Sequence, residues 1–197
     1  MKYNKIVSFD FDDTLFFTPD HITGKKEWEQ KTGLDWPYNG WWSKPETLDV
    51  EIFNIPINPY VYQKYLEAIT EDDTLCIMAT GRLDKSRNGK YPGKLSLRPQ
   101  VEDVLRTHNI EFGEHVYLNP GMDTYQFKTN LFSDMISKYK PDTFVMYDDR
   151  HEHLKKFPEW AKTQPCVVEI IDVTKSEKKP LIINWMDGVI RWIVRTR

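Results

Sequence analysis

The chain is short of cysteine, of long apolar runs and of net charge, and each shortage removes a class of protein. Cys76 and Cys166 are the only two cysteines, 90 positions apart and without metal-type spacing. Cys76 sits in the apolar run Leu75-Cys76-Ile77-Met78. A disulfide scaffold is therefore excluded, and a buried thiol in a reducing compartment is expected. Acid appears at Asp10, before any apolar stretch as long as a signal peptide or membrane helix. This predicts a cytoplasmic protein with no membrane anchor. A net charge of -3 gives the whole chain no strong pull toward nucleic acid or membrane, so any such pull must come from a local patch. There is no internal repeat, no low-complexity segment and no Walker-type Gly-Lys-Ser/Thr loop.

What is present is enough for a buried core. The 197 residues are 40% hydrophobic and 14% aromatic. That suits one domain over 1–197 with a small inserted lid and a very polar surface. Five short apolar runs read as buried strands: 6–9, 75–79, 116–118, 144–147 and 167–171. Between them, helical spacing marks 60–69, 99–107 with Pro99 at the first helical position, and 123–139. A last apolar stripe over 181–194, with Trp185 and Trp192 beside it, predicts a C-terminal helix. Alternating strands and helices imply an α/β layer fold with a mostly parallel sheet, whose ligands sit at the carboxyl ends of the strands. Two stretches break the alternation. Residues 16–59 are long, aromatic and turn-rich, and residues 84–98 are basic and punctuated by glycine and proline. Long loops in a compact domain are usually functional or mobile.

The strand ends are acidic. The first strand runs into Asp10-Phe11-Asp12-Asp13-Thr14, the second into Thr80-Gly81-Arg82 and the fourth into Asp148-Asp149-Arg150. In a parallel sheet these ends point one way, so four of these five carboxylates are expected to converge and to repel unless a cation intervenes. Oxygen-only ligands favour magnesium over zinc. The tetrapeptide Asp-Asp-Thr-Leu occurs twice, at 12–15 and at 72–75. The second copy precedes a strand and reads as a solvated turn. Position after a strand, not composition, singles out the first.

These residues resemble the signatures of the haloacid dehalogenase (HAD) superfamily. Asp10-Phe11-Asp12-Asp13-Thr14-Leu15 is similar to its Asp-x-Asp-x-Thr loop, and Thr80 to the second signature. Lys128, in Tyr125-Gln126-Phe127-Lys128, matches the third, and Asp148-Asp149 the fourth. A narrower resemblance is to the HAD domain of Swiss Army Knife RNA-repair proteins. It rests on Phe9 to Phe16, Thr18-Pro19, Gly40-Trp41-Trp42-Ser43-x-Pro45, Phe127-Lys128 and Asp149-Arg150-x-x-His153. No ligase or kinase module accompanies it in this chain, and Asp148 stands where that subfamily is expected to carry Glu.

The resemblance implies a Rossmann-like HAD fold, a mostly parallel sheet flanked by helices with a small aromatic-rich insertion after the first strand. It also implies phospho-aspartate chemistry with Mg2+. Asp10 would be the nucleophile and Asp12 the acid and base. The metal would be held by Asp10, the Asp12 carbonyl and Asp148 or Asp149. Thr80 would hold phosphate oxygens and Lys128 would offset transition-state charge. Thr14, Gly81, Arg82, Arg150 and His153 are the candidate substrate contacts. Arg82 and Arg150 suit a bidentate phosphate clamp or pairing with nearby acids. His153 suits substrate contact or a helix cap.

The basic strip Lys85, Arg87, Lys90, Lys94 and Arg98 faces the aromatics Trp36, Tyr38, Trp41 and Trp42 of the insertion, which suits single-stranded nucleic acid. The tryptophans equally suit a small core of the lid. A phosphatase acting on RNA or DNA ends in nucleic-acid repair is the expectation. A small-molecule nucleotide or sugar phosphatase and an inactive HAD-fold binding module are the rivals. Oligomeric state is not legible in the sequence.

Overall fold

Each of the five apolar runs forms a strand, and their order in the sheet decides where a ligand can sit. The computed structural model describes residues 3–84 and 96–174, and the backbone of 181–183. The strands are β1 (Lys5–Phe9), β2 (Thr74–Leu83), β3 (Val116–Asn119), β4 (Thr143–Asp148) and β5 (Val167–Asp172). They are mutually parallel, in the order β3-β2-β1-β4-β5. The chain winds outward from β1 through β2 to β3, then crosses back to lay β4 on the other flank of β1. That reversal between β1 and β4 opens a crevice at the carboxyl ends of the two strands.

Side-chain alternation divides the core into two faces. Val7, Phe9, Met78, Val145 and Tyr147 belong to one buried cluster. Ile6, Leu75, Ile77, Ala79, Phe144 and Met146 belong to the other. Helices α2 (Pro59–Ile69) and α3 (Arg98–Thr107) cover the first face through Val61, Tyr65, Val101 and Val104. Helix α4 (Thr124–Tyr139) covers the second through Phe132, Met135 and Ile136. Two short helices absent from the sequence expectation, α5 (His151–Leu154) and α6 (Phe157–Ala161), follow β4. Their brevity leaves no helical period to read.

Residues 181–183 depart from the expected C-terminal helix. They form β6 (Leu181–Ile183), antiparallel to β5. A Leu-Ile-Ile run is rich in β-branched residues, and pairing it satisfies the outer edge of β5. The rest of that expected helix, with Trp185 and Trp192, lies outside the described residues.

The aromatic insertion contains helix α1 (Thr23–Thr32) and a 3-10 turn at Pro45–Leu48. Its two ends are tied together: Phe17 N–H donates to the Pro56 carbonyl at 2.9 Å, and Asn58 N–H to Leu15 at 2.9 Å. Trp41, Leu48, Phe53 and Ile55 join the same cluster as Phe9, Phe11 and Phe16. The insertion thus packs onto one face of the main core. Gly24 lies so close to Trp41 that an added Cβ would meet its Cζ2 at 2.2 Å.

Candidate active site

Strand parity carries two carboxylates to the same face. Asp10 follows Phe9 and Asp148 closes β4, so both project with Ile6, Phe144 and Met146 toward α4. Asp10 N–H extends the ladder to the Tyr147 carbonyl at 3.1 Å. On α4, Lys128 occupies the buried stripe that Phe132, Met135 and Ile136 continue, at i, i+4, i+7 and i+8. A lysine in an apolar stripe needs a partner, and this one has two. Its Nζ lies 2.9 Å from Asp10 Oδ2 and 2.6 Å from Asp148 Oδ2, with 2% of the side chain exposed.

The helix that presents Lys128 is fixed at its start. Asp123 caps α4 by accepting from Gln126 N–H at 3.0 Å. Asn119 shapes the preceding turn, accepting from Gly121 and Met122 N–H at 2.8 and 2.9 Å. Asn119 was missed in the sequence; the signal for it was the turn run Asn119-Pro120-Gly121 before a capping Asp.

Asp10, Asp148 and Asp149 bring one carboxylate oxygen each within 4.8 Å of one another. Three carboxylates against the single ammonium of Lys128 leave excess negative charge. Burial raises Asp10 well above the usual carboxylate range; Lys128 opposes this, while Asp148 and Asp149 add to it. Burial alone would lower Lys128, but Asp10 and Asp148 more than reverse that, so it stays an ammonium. Asp149 is pushed up to about 6, by burial first and then by Asp148 and Asp13. Asp10, Asp148 and Asp149 are close enough to hold one cation together, and their all-oxygen donors fit a hard divalent ion.

Asp12 is held apart from this cluster. Arg82 grips its carboxylate through Nε at 2.9 Å and Nη2 at 2.6 Å, and Thr18 Oγ1 donates to it at 2.8 Å. Arg82 Nη1 also donates to the Trp42 carbonyl and to Thr47 Oγ1, each at 2.8 Å. Of the two roles left open for Arg82, the observed contacts are pairing with acid. Arg150 instead keeps 52% of its side chain exposed at the rim, 3.9 Å from Glu152.

Asp10, Asp12, Gly81, Arg82, Lys128, Asp149, Arg150 and His153 line one cleft of about 430 Å³, together with Trp42 of the aromatic insertion and with Asp13 and Thr124, for which no role was read from the sequence. Thr14 and Thr80 do not line it. Thr14 Oγ1 donates to Asp149 Oδ1 at 3.2 Å and so orients an acid of the cluster. Thr80 is fully buried, with its hydroxyl accepting from Arg82 N–H at 3.1 Å. The cause is parity. In β2, Leu75, Ile77 and Ala79 face α4, so Thr80 points to the opposite face and Gly81 takes the α4 side. A Cβ on Gly81 would meet Thr124 Cγ2 at 3.1 Å. The absent side chain lets β2 approach the start of α4.

Both Asp-Asp-Thr-Leu copies turn in the same way, Asp13 at φ 51° and Asp73 at φ 59°. They differ in where the turn leads, into the cleft or to the exposed far edge of β2. Of the basic strip, Arg98 places its Nε 2.9 Å from the buried Asp84. Lys85, Arg87, Lys90 and Lys94 lie outside the described residues.

A family profile described as HAD domain family 1 in Swiss Army Knife RNA repair proteins matches residues 30–182, well over half of the chain. The chain belongs to this family. The HAD match spans Thr80 through His153, and the Asp10 loop precedes it. No curated protein and no solved structure matches the chain. The α/β sheet is that of a Rossmann-like HAD fold, and the coarse chemistry is that of a HAD-type phosphohydrolase with a phosphorylated substrate. No helix among the described residues of the HAD domain is long and apolar enough to cross a membrane.

Two outcomes follow. In chelator near neutral pH, Lys128→Met should cost about 3–5 kcal/mol in urea unfolding, because it strands buried carboxylates. Adding Asp148→Asn should return part of that loss. His153 is 4% exposed, its Nδ1 has no partner, and burial lowers it to about 4. The unfolded chain therefore binds the extra proton between about pH 6.5 and 4. The melting temperature of the wild type should fall relative to His153→Gln as pH drops through that window.

Proposed function

We propose that the chain is a magnesium-dependent phosphohydrolase that works through a phospho-aspartate on Asp10 and removes terminal phosphates from nucleic-acid ends. The observation that carries this is the convergence of Asp10, Asp148 and Asp149 around Lys128 at the crevice between β1 and β4.

In the first step an Asp10 carboxylate oxygen attacks phosphorus and the ester P–O bond breaks. Asp12 gives its proton to the leaving oxygen. In the second step water attacks phosphorus, Asp12 takes the water's proton, and the bond to Asp10 breaks to release phosphate. Arg82 aims Asp12 by a two-point grip on its carboxylate. Lys128 stays charged and offsets the negative charge that gathers on the transferring group. Asp10, the Asp12 carbonyl and Asp148 or Asp149 would hold magnesium, which would supply neutralisation of the phosphate dianion. Arg150 at the rim is placed to meet a second phosphate.

The nucleic-acid part rests on the RNA-repair context of the family, on the basic residues of 85–94, and on the aromatic and cationic rim. A small-molecule phosphatase is the competing reading, favoured by the modest cleft of about 430 Å³.

Asp10→Asn should lower turnover at least about a thousand-fold while circular dichroism and melting stay close to wild type. Chelation should silence the wild type, and added magnesium should restore it. Across a panel of metabolite phosphates and phosphorylated RNA and DNA, the oligonucleotides should be turned over best. A 3′-phosphorylated oligonucleotide turned over no better than an aryl phosphate would end the nucleic-acid reading.

A further inference from the structure

The tryptophans of the insertion divide by exposure. Trp41 is 4% exposed, donates its indole N–H to the Pro19 carbonyl at 2.7 Å, and packs against Trp36 with centroids 4.6 Å apart. Trp36 meets Trp28 edge-on at 5.2 Å. These three pack together where the insertion meets the main core. Trp42, the next residue, is 43% exposed, joins neither buried cluster, and lines the cleft beside Asp10, Asp12 and Lys128.

The Trp42 ring is also held in place. Arg82 Cζ lies 5.1 Å from its centroid, and Arg82 itself is 2% exposed. That guanidinium is fixed by its grip on Asp12, by Thr47 Oγ1, and by the carbonyl of Trp42. One buried cation therefore ties the indole to the acid of the site. A flat aromatic surface already fixed beside the reacting carboxylates suits a nucleobase, because little ordering entropy remains to be lost. Stacking of this kind tolerates any base.

We propose that Trp42 is the stacking platform for the base at the phosphorylated end, and so a specificity-determining residue that favours nucleotide ends over sugar or polyol phosphates. This rests on the reading of the chain as a phosphohydrolase of nucleic-acid ends.

The test compares kcat/KM, with magnesium, for a 3′-phosphorylated oligonucleotide and for glycerol phosphate, which has no ring. Trp42→Ala should lower the ratio of the two by about tenfold or more, mostly through KM for the oligonucleotide. Trp42→Phe should keep most of the ratio. With the unaltered protein, an oligonucleotide whose phosphorylated terminal sugar lacks its base should lose a similar factor, a result independent of how any variant folds. An equal loss on both esters in Trp42→Ala would overturn the proposal and assign the ring to support of Arg82. An unchanged ratio, or full activity on the abasic end, would overturn it as well. Failure of the parent reading shows separately, as a wild type that does not prefer the oligonucleotide to glycerol phosphate.

Discussion

Lys128 lies 2.9 Å from Asp10 and 2.6 Å from Asp148, nearly closed off from solvent, and the rest of the site is arranged around that contact. It joins α4 to the ends of β1 and β4, the two strands on either side of the crevice. It also allows a carboxylate to sit in the core without a full water shell. One ammonium does not balance Asp10, Asp148 and Asp149 together. The remainder is excess negative charge at the crevice between β1 and β4.

The two carboxylates proposed to carry the chemistry are separated by environment. Asp10 lies on the α4 face among like charges, and burial raises it. Asp12, two residues on, turns toward the insertion and meets Arg82. Just after Asp12 the turn passes through Asp13 in the left-handed region, which Asp tolerates better than most residues. The insertion is therefore part of the site. Through Trp42 and Thr47 it fixes the arginine that aims Asp12.

Much of this was legible in the sequence. The five strands were marked by apolar runs within a residue or two, except that β2 continues through Thr80-Gly81-Arg82 to Leu83. Along that extension strand parity turns Thr80 to the face opposite α4, so it does not line the cleft. Lys128 was legible through its match to the third signature, whereas its place in the buried stripe of α4 shows only in the structure. The split between Trp41 and Trp42 was not, because adjacent residues of one type carry no sign of which one turns inward; Gly24 and Pro19, distant in pattern though close in space, decide it. The Asp12–Arg82 pair was also hidden, since 70 positions separate the partners.

The stereochemical course at phosphorus tests the role of Asp10 most directly. With a substrate ester made chiral at phosphorus by oxygen isotopes, two successive in-line displacements, first by Asp10 and then by water, predict net retention of configuration. Net inversion would mean a single direct attack by water and would contradict Asp10 as the nucleophile.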